Sequence, residues 1–156
     1  MPDVACVYAL TTPGGTIFFN DGTPDQFYIT EIPVGLAGAP LSTPVDAVPY
    51  GDGSLSYNWW KRGRHIQIEG VFLITSTRIE NGILTIRNSM EAALQAALDS
   101  CAGLATATAT LAWTPLGGSA HSLTVRNDVP LECIHDQGYL VRTFSFGLFC
   151  DSPAIT

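Results

Sequence analysis

Apolar residues recur at every second position on both sides of one segment in which they recur at steps of three and four, and this double change of period constrains the fold more than any other feature. Side chains alternate across a strand, whereas a helix returns to the same face every three or four residues. Before the change, Gln26–Ile32 sets Phe27 and Ile29 against Gln26, Tyr28 and Thr30, and His65–Ile74 sets Ile66, Ile68, Phe72 and Ile74 against His65, Gln67 and Glu69. After it, Leu104–Trp113 sets alanines, Leu111 and Trp113 against Thr106, Thr108 and Thr110, and Gly138–Cys150 keeps Leu140, Phe144, Phe146 and Leu148 on one side. Between them Ile83, Ile86, Met90, Leu94, Ala97 and Cys101 trace a helical stripe. The order is strands, one helix at about residues 83–100, then strands again. That predicts a mainly β chain, a β-sandwich or barrel with one flanking α-helix.

Turn chemistry sets the expected boundaries. Val4–Leu10 and Thr16–Asn20 flank Thr12-Pro-Gly-Gly15, and Asp21–Asp25 turns the chain again. Ser54–Trp60 alternates Leu55, Tyr57 and Trp59 with Ser54, Ser56 and Asn58, and the short link Lys61-Arg62-Gly63 predicts a hairpin with the strand at His65–Ile74. Gly70 inside that second strand predicts a bulge or bend. Pro33–Pro49, rich in Gly, Ala and Pro, reads as a long loop that is functional or covered by a partner. Asn81 or Asn88 is expected to cap the helix and Gly103 to close it. The stripe is narrow and partly alanine, so the helix should lie flat on a sheet. After it, Pro115-Leu-Gly-Gly118 turns the chain into Ser122–Arg126.

At 156 residues one domain is expected, and it can bury roughly 70% of its unfolded surface without disulfides or metal. Only 13% of residues are charged, about half the usual share of roughly 25%. Either apolar area awaits a partner, or a Thr-, Ser- and Gly-rich surface is simply neutral. The net charge of −7 lacks the clustered cations that nucleic-acid binding requires, apart from Lys61, Arg62 and Arg64. The same charge suits a wall past which DNA slides without sticking. No apolar run approaches the ~18 residues of a membrane span. The segment Met1–Cys6 lacks the basic and apolar regions of a signal peptide, so folding in a reducing cytoplasm is expected. Cys6, Cys101, Cys133 and Cys150 are widely spaced and read as free thiols; a Cys6–Cys150 contact would require the terminal strands to pair.

Few residues invite chemistry. Cys133-Ile-His135-Asp136 would place Cys133 and His135 on one face of an extended chain, but two ligands are half a structural zinc site, and His121 is the only other imidazole near in sequence. A polar turn before the last strand explains the same residues. A Cys–His nucleophile lacks a Gly-rich elbow. Asp21, Asp25 and Asp52 sit beside Gly or Pro as turn formers, and Asp46 falls in the Pro-rich loop. Neither Gly14-Gly15 nor Gly51-Asp-Gly53 is followed by the Lys of a phosphate loop. The chain is therefore expected not to be an enzyme, with no cofactor and no metal. Trp59-Trp60 carries more weight: adjacent strand residues face opposite sides, so one Trp points outward unless its own chain covers it. With Arg62 and Arg64 alongside, Trp59 and Trp60 have the composition of a protein interface. Stacking of a sugar on that Trp is the alternative of another class, a carbohydrate-binding β-sandwich module.

The blocks Ile32-Pro-Val-Gly-Leu-Ala-Gly-Ala-Pro40, Tyr50-Gly-Asp-Gly53 and Trp60-x-x-Gly-Arg-x-Ile-x-Ile-x-Gly70 resemble the N-terminal domain of siphophage distal tail proteins. So does the succession of a strand, one amphipathic helix, more strands and the closing Phe146-Gly-Leu-Phe-Cys-Asp-Ser-Pro153. The resemblance spans nearly the whole chain through short motifs. It implies a fold related to tail-tube proteins and a hexameric ring at the virion tail tip, assembled in the host cytoplasm. Such a ring would join the tail tube protein above to hub or baseplate proteins below, and leave a channel for the tape measure protein and for DNA. A tail tube or tail-completion protein of the same lineage is the nearest alternative. Residues 1–156 would be a single such domain with no C-terminal accessory domain, which makes host binding by this chain doubtful.

Overall fold

Alternating β-branched and aromatic residues form strands where one face can be buried, and in this chain the buried faces curl around a common centre. A computed structural model describes residues 6–31, 33, 36, 41–42, 45–47, 54–56, 60–61, 64–103, 108–115, 117–135 and 142–150, with the backbone alone described at 41–42, 45–47, 54–56, 60–61 and 135. The strands are β1 (Cys6–Thr12), β2 (Gly15–Phe19), β3 (Asp25–Ile29), β4 (Leu41–Ser42), β5 (Val45–Ala47), β6 (Ser54–Ser56), β7 (Trp60–Lys61) and β8 (Arg64–Ile74). The helix α1 (Glu80–Ser100) follows, and then β9 (Ala109–Pro115), β10 (His121–His135) and β11 (Arg142–Cys150). Seven strands close into a barrel in the order β1-β2-β3-β8-β11-β10-β9, with β9 returning to β1. Closure leaves no long free edge for unwanted pairing. Of the two expected architectures, the barrel is the one formed.

The inward rows are those the alternation predicts. Leu10, Phe19, Ile66, Ile68, Leu111, Phe146 and Leu148 have no exposed surface. At the centre Phe72 and Phe144 meet at 5.2 Å between ring centroids, Phe19 and Phe27 at 5.7 Å, and Phe144 and Phe146 at 6.2 Å. Each fully buried Phe contributes roughly 1.5–3 kcal/mol relative to exposure.

Several expected pairings differ. β8 pairs with β3 on one side and β11 on the other, so the closed sheet leaves it no edge for the preceding segment. The predicted hairpin is therefore not formed: Ser54–Ser56 pairs with Val45–Ala47, and Trp60–Lys61 with Leu41–Ser42. Both partners lie within the stretch expected to be an irregular loop. Gly70 is not a bulge: the register with β11 runs unbroken past it, and on the other side it pairs with Ile29 as the last step of the β3 ladder. Bulges occur in β10 instead, between Asn127 and Val129 and between Val129 and Glu132. There Pro130, which has no N–H to give, is tolerated. The Asn127 amide supports the irregularity by donating to the carbonyls of Val129 (2.8 Å) and Gly147 (2.9 Å). β10 thus continues past the expected Arg126 to His135, and Cys133–His135 is paired strand rather than turn. The expected strand positions at 4–5, 104–107 and 138–141 lie outside the described residues.

The helix begins at Glu80, and neither asparagine caps it: the residue before it is Ile79, which makes no side-chain capping bond. At the other end Gly103 adopts φ +67° and its N–H donates to Asn127 O. The helix packs against β1, β2, β8 and β10, on two sides of the closed sheet rather than on one flat face. Ser100 Oγ accepts from the Gly14 N–H of the β1–β2 turn, and Glu91 pairs with Arg142 where β11 starts, so the helix lies across one end of the barrel. Leu94, Ala97 and Leu98 join the barrel interior in a single core. Beside the helix start, Asp25 ties β3 to the end of β8. Burial alone would raise its carboxyl, but donation from the Ser76 hydroxyl (2.6 Å) and the backbone of Ser76 and Thr75 holds it below its ordinary value. No described helix is long and apolar enough to cross a membrane.

Candidate functional site

Of the residues expected to form an interface, Arg64 is the one whose side chain is described. Arg64 is the first residue of β8, is 3% exposed, and donates from Nη1 to the Leu36 carbonyl at 3.3 Å. It therefore points inward, and does not extend an exposed anchor. Trp60 contributes its backbone to β7, while Trp59 and Arg62 lie outside the described residues.

Arg64 is part of a wider pattern. Of seven basic residues, Arg64, Arg87 and Arg142 are buried. With these cations withdrawn, the outer surface is more acidic than the composition alone conveys. Arg142 meets Glu91 between barrel end and helix, and Cys133 lies beside them. Burial, reinforced by the Glu91 carboxylate, pushes the Cys133 thiol up to about 11, so it is protonated at neutral pH and a poor nucleophile. His135 pairs with Arg142 through the backbone, and Asp136 lies outside the described residues. His121 packs on Trp113 at 5.6 Å in another part of the barrel. Among the described residues no three His, Cys, Asp or Glu side chains converge as metal ligands. None of the four cysteines is in a disulfide, and β1 and β11, which carry Cys6 and Cys150, are not neighbours.

The outside of the barrel divides into two unlike halves. On β3, β8, β11 and β10 the outward row Thr30, Glu69, Ser145 and Glu132 lies next to the row Val71, Thr143 and Ile134. Together they line an open concavity of about 450 Å³ with two exposed carboxylates at its rim. One strand row further on, Gln67 donates to Ser145 Oγ at 2.6 Å, and His65 and Asp128 meet at 2.6 Å. On β2, β1 and β9 the outward residues include Phe18, Val7, Ala9 and Ala112, flanked by threonines, and none is charged. Phe18 is 50% exposed and Val7 46%. The reasoning that singled out Trp59-Trp60 applies equally to Phe18-Phe19: of two adjacent aromatics in a strand, Phe19 is fully buried and Phe18 must face out. Glu69 and Glu132 carry no comparable signal, because cross-strand register decides that they flank Ser145 on the same concavity.

No protein-family profile matches the sequence, and no curated protein matches it. Among solved structures, the SPP1 Dit (gp 19.1) protein, described as a paradigm of the hub adsorption apparatus in phages infecting Gram-positive bacteria, superimposes with a TM-score of 0.62 at 11% identity. The match covers 95% of this chain and 51% of that one, so the chain spans about half of the matched protein's length. The two share a fold. It is a fold found in a phage tail protein, and at this identity the likeness speaks to architecture rather than to any residue.

Proposed function

We propose that this chain is a structural subunit of a phage tail tip, which closes into a ring, hexameric as in distal tail proteins, between the tail tube and the tail hub. The observation that carries the reading is the superposition of nearly the whole chain, helix included, on a hub protein of a phage adsorption apparatus. The surface chemistry supports it. A ring subunit presents two different faces to its neighbours, and the two unlike halves of the barrel exterior supply such faces. Withdrawal of Arg64, Arg87 and Arg142 leaves few cations outside, so a channel walled by such subunits would let a polyanion pass without salt-sensitive sticking. In this role the partners are further copies of the chain, the tail tube protein, hub or baseplate proteins and the tape measure protein, and the location is the virion tail tip.

Native mass measurement with negative-stain imaging tests the proposal. Closed rings are expected, either from the pure chain at high concentration or on addition of the tail tube protein. A chain that stays monomeric under both conditions would overturn the ring reading.

A further inference from the structure

We propose that the uncharged outer face of β1, β2 and β9 on one copy seats on the acidic concavity of β8, β10 and β11 on the next, and that this head-to-tail contact repeats around the ring. The inference rests on the ring reading above and assigns its contact surfaces.

Three observations converge on a second copy as the occupant. Charge comes first. A chain of net charge −7 repels its own copies, and two acidic faces carrying Glu69 and Glu132 cannot approach each other. The face around Phe18 is the described part of the barrel exterior where no carboxylate opposes contact. Hydrogen-bonding capacity comes next. Desolvated carboxylates need donors, and Thr11 and Thr114 present exposed hydroxyls beside Phe18 and Val7, which add to those of Thr30, Thr143 and Ser145 around the concavity. Shape is the third. Phe18 and Val7 protrude with about half their surface exposed, whereas the opposite half is concave, with Val71 and Ile134 as its apolar lining. An aromatic knob entering an apolar-floored depression is how interface anchors are built.

The two surfaces belong to different strands of one chain, so the contact is heterologous and can propagate around a closed ring. Contact between two Phe18 faces would instead be isologous. It would stop at a dimer and leave the acidic concavity unfilled.

Two single variants, Phe18→Cys and Ile134→Cys, are prepared separately, checked for native circular dichroism, mixed under ring-forming conditions and oxidised mildly. Mass spectrometry of the cross-linked peptides is expected to show a disulfide joining position 18 to position 134, formed only in the mixture. Rings that form without that link, or a link from position 18 to position 18, overturn the assigned surfaces while the ring reading stands. Absence of both rings and link overturns both. As a second measurement, Phe18→Glu should raise the concentration needed for ring assembly at least tenfold, and an unchanged assembly curve counts against the proposal.

Discussion

The space where Gly70 has no side chain is occupied by Phe144: a Cβ at position 70 would lie 2.6 Å from Phe144 Cζ and would also collide with the Tyr28 carbonyl. Gly70 faces inward between Ile68 and Phe72, at the level where β3, β8 and β11 run side by side. The aromatic cluster of Phe19, Phe27, Phe72 and Phe144 can close only because one inward position in this row is empty.

Gly70→Ala is therefore expected to destabilise the fold although alanine suits a strand better than glycine. The obstructing Tyr28 oxygen is backbone and cannot swing aside, so Phe144 and the β3–β8 ladder must both shift. Overpacking of this kind costs about 1–3 kcal/mol, and the backbone clash places the expected loss at the upper end. Urea unfolding of the two proteins measures it. An unchanged midpoint would show that the sheet yields without cost.

The barrel is closed least firmly between β2 and β3, which share a single parallel pair, Phe19 with Phe27. Asn20 makes up for the missing ladder. Its backbone N–H donates to Phe27 O at 2.9 Å, and its Oδ1 accepts from the Ile29 N–H at 2.7 Å. It holds φ +57°, a left-handed conformation that asparagine adopts more readily than most residues. Asn20→Ala removes the side-chain acceptor from a buried N–H and places alanine in that strained conformation, for an expected loss of about 2–4 kcal/mol. Hydrogen exchange should show the Ile29 amide losing protection more than the amides of β11. Uniform loss across the barrel would mean that the seam opens only with global unfolding.

What the sequence conveyed was periodicity, and what it withheld was partnership. Phe27 and Ile29, the row Ile66, Ile68 and Phe72, and the row Phe144, Phe146 and Leu148 are buried as their alternation requires, because which face a residue takes depends on its own strand. The hairpin expected around Lys61-Arg62-Gly63 failed because partner choice is settled far away, by β3 and β11 occupying both edges of β8. Gly70 was legible as special but not as a gap for Phe144, which lies in a strand that follows more than 70 residues later. Arg64 followed the same rule as Ile66: its strand position turns it inward, away from the outward interface expected of it beside Trp59 and Trp60. The concavity between Glu69 and Glu132 needs three strands in register and has no local signature.

Cys133 separates a structural reading of the helix–barrel junction from a catalytic one. Its thiol is pushed up to about 11, first by burial and then by the carboxylate of Glu91, which also pairs with Arg142. A raised thiol pKa means that the reactive thiolate is scarce at neutral pH and accumulates only as the pH climbs toward that value. Alkylation of Cys133 by iodoacetamide, followed by mass spectrometry peptide by peptide, should therefore be slow at pH 7 and accelerate through pH 9–10 by roughly tenfold per unit. Glu91→Gln removes the negative charge that opposes the thiolate while Arg142 remains, so the profile should move to lower pH without reaching that of an unburied thiol, because burial persists. The same variant gives up the ion pair across the junction, at an expected cost of about 1–2 kcal/mol, reduced from the full penalty of a buried pair because the Glu91 side chain is 30% exposed. Rapid alkylation of Cys133 at pH 7 in the folded wild-type chain would instead indicate an activated thiolate, and would reopen the catalytic reading.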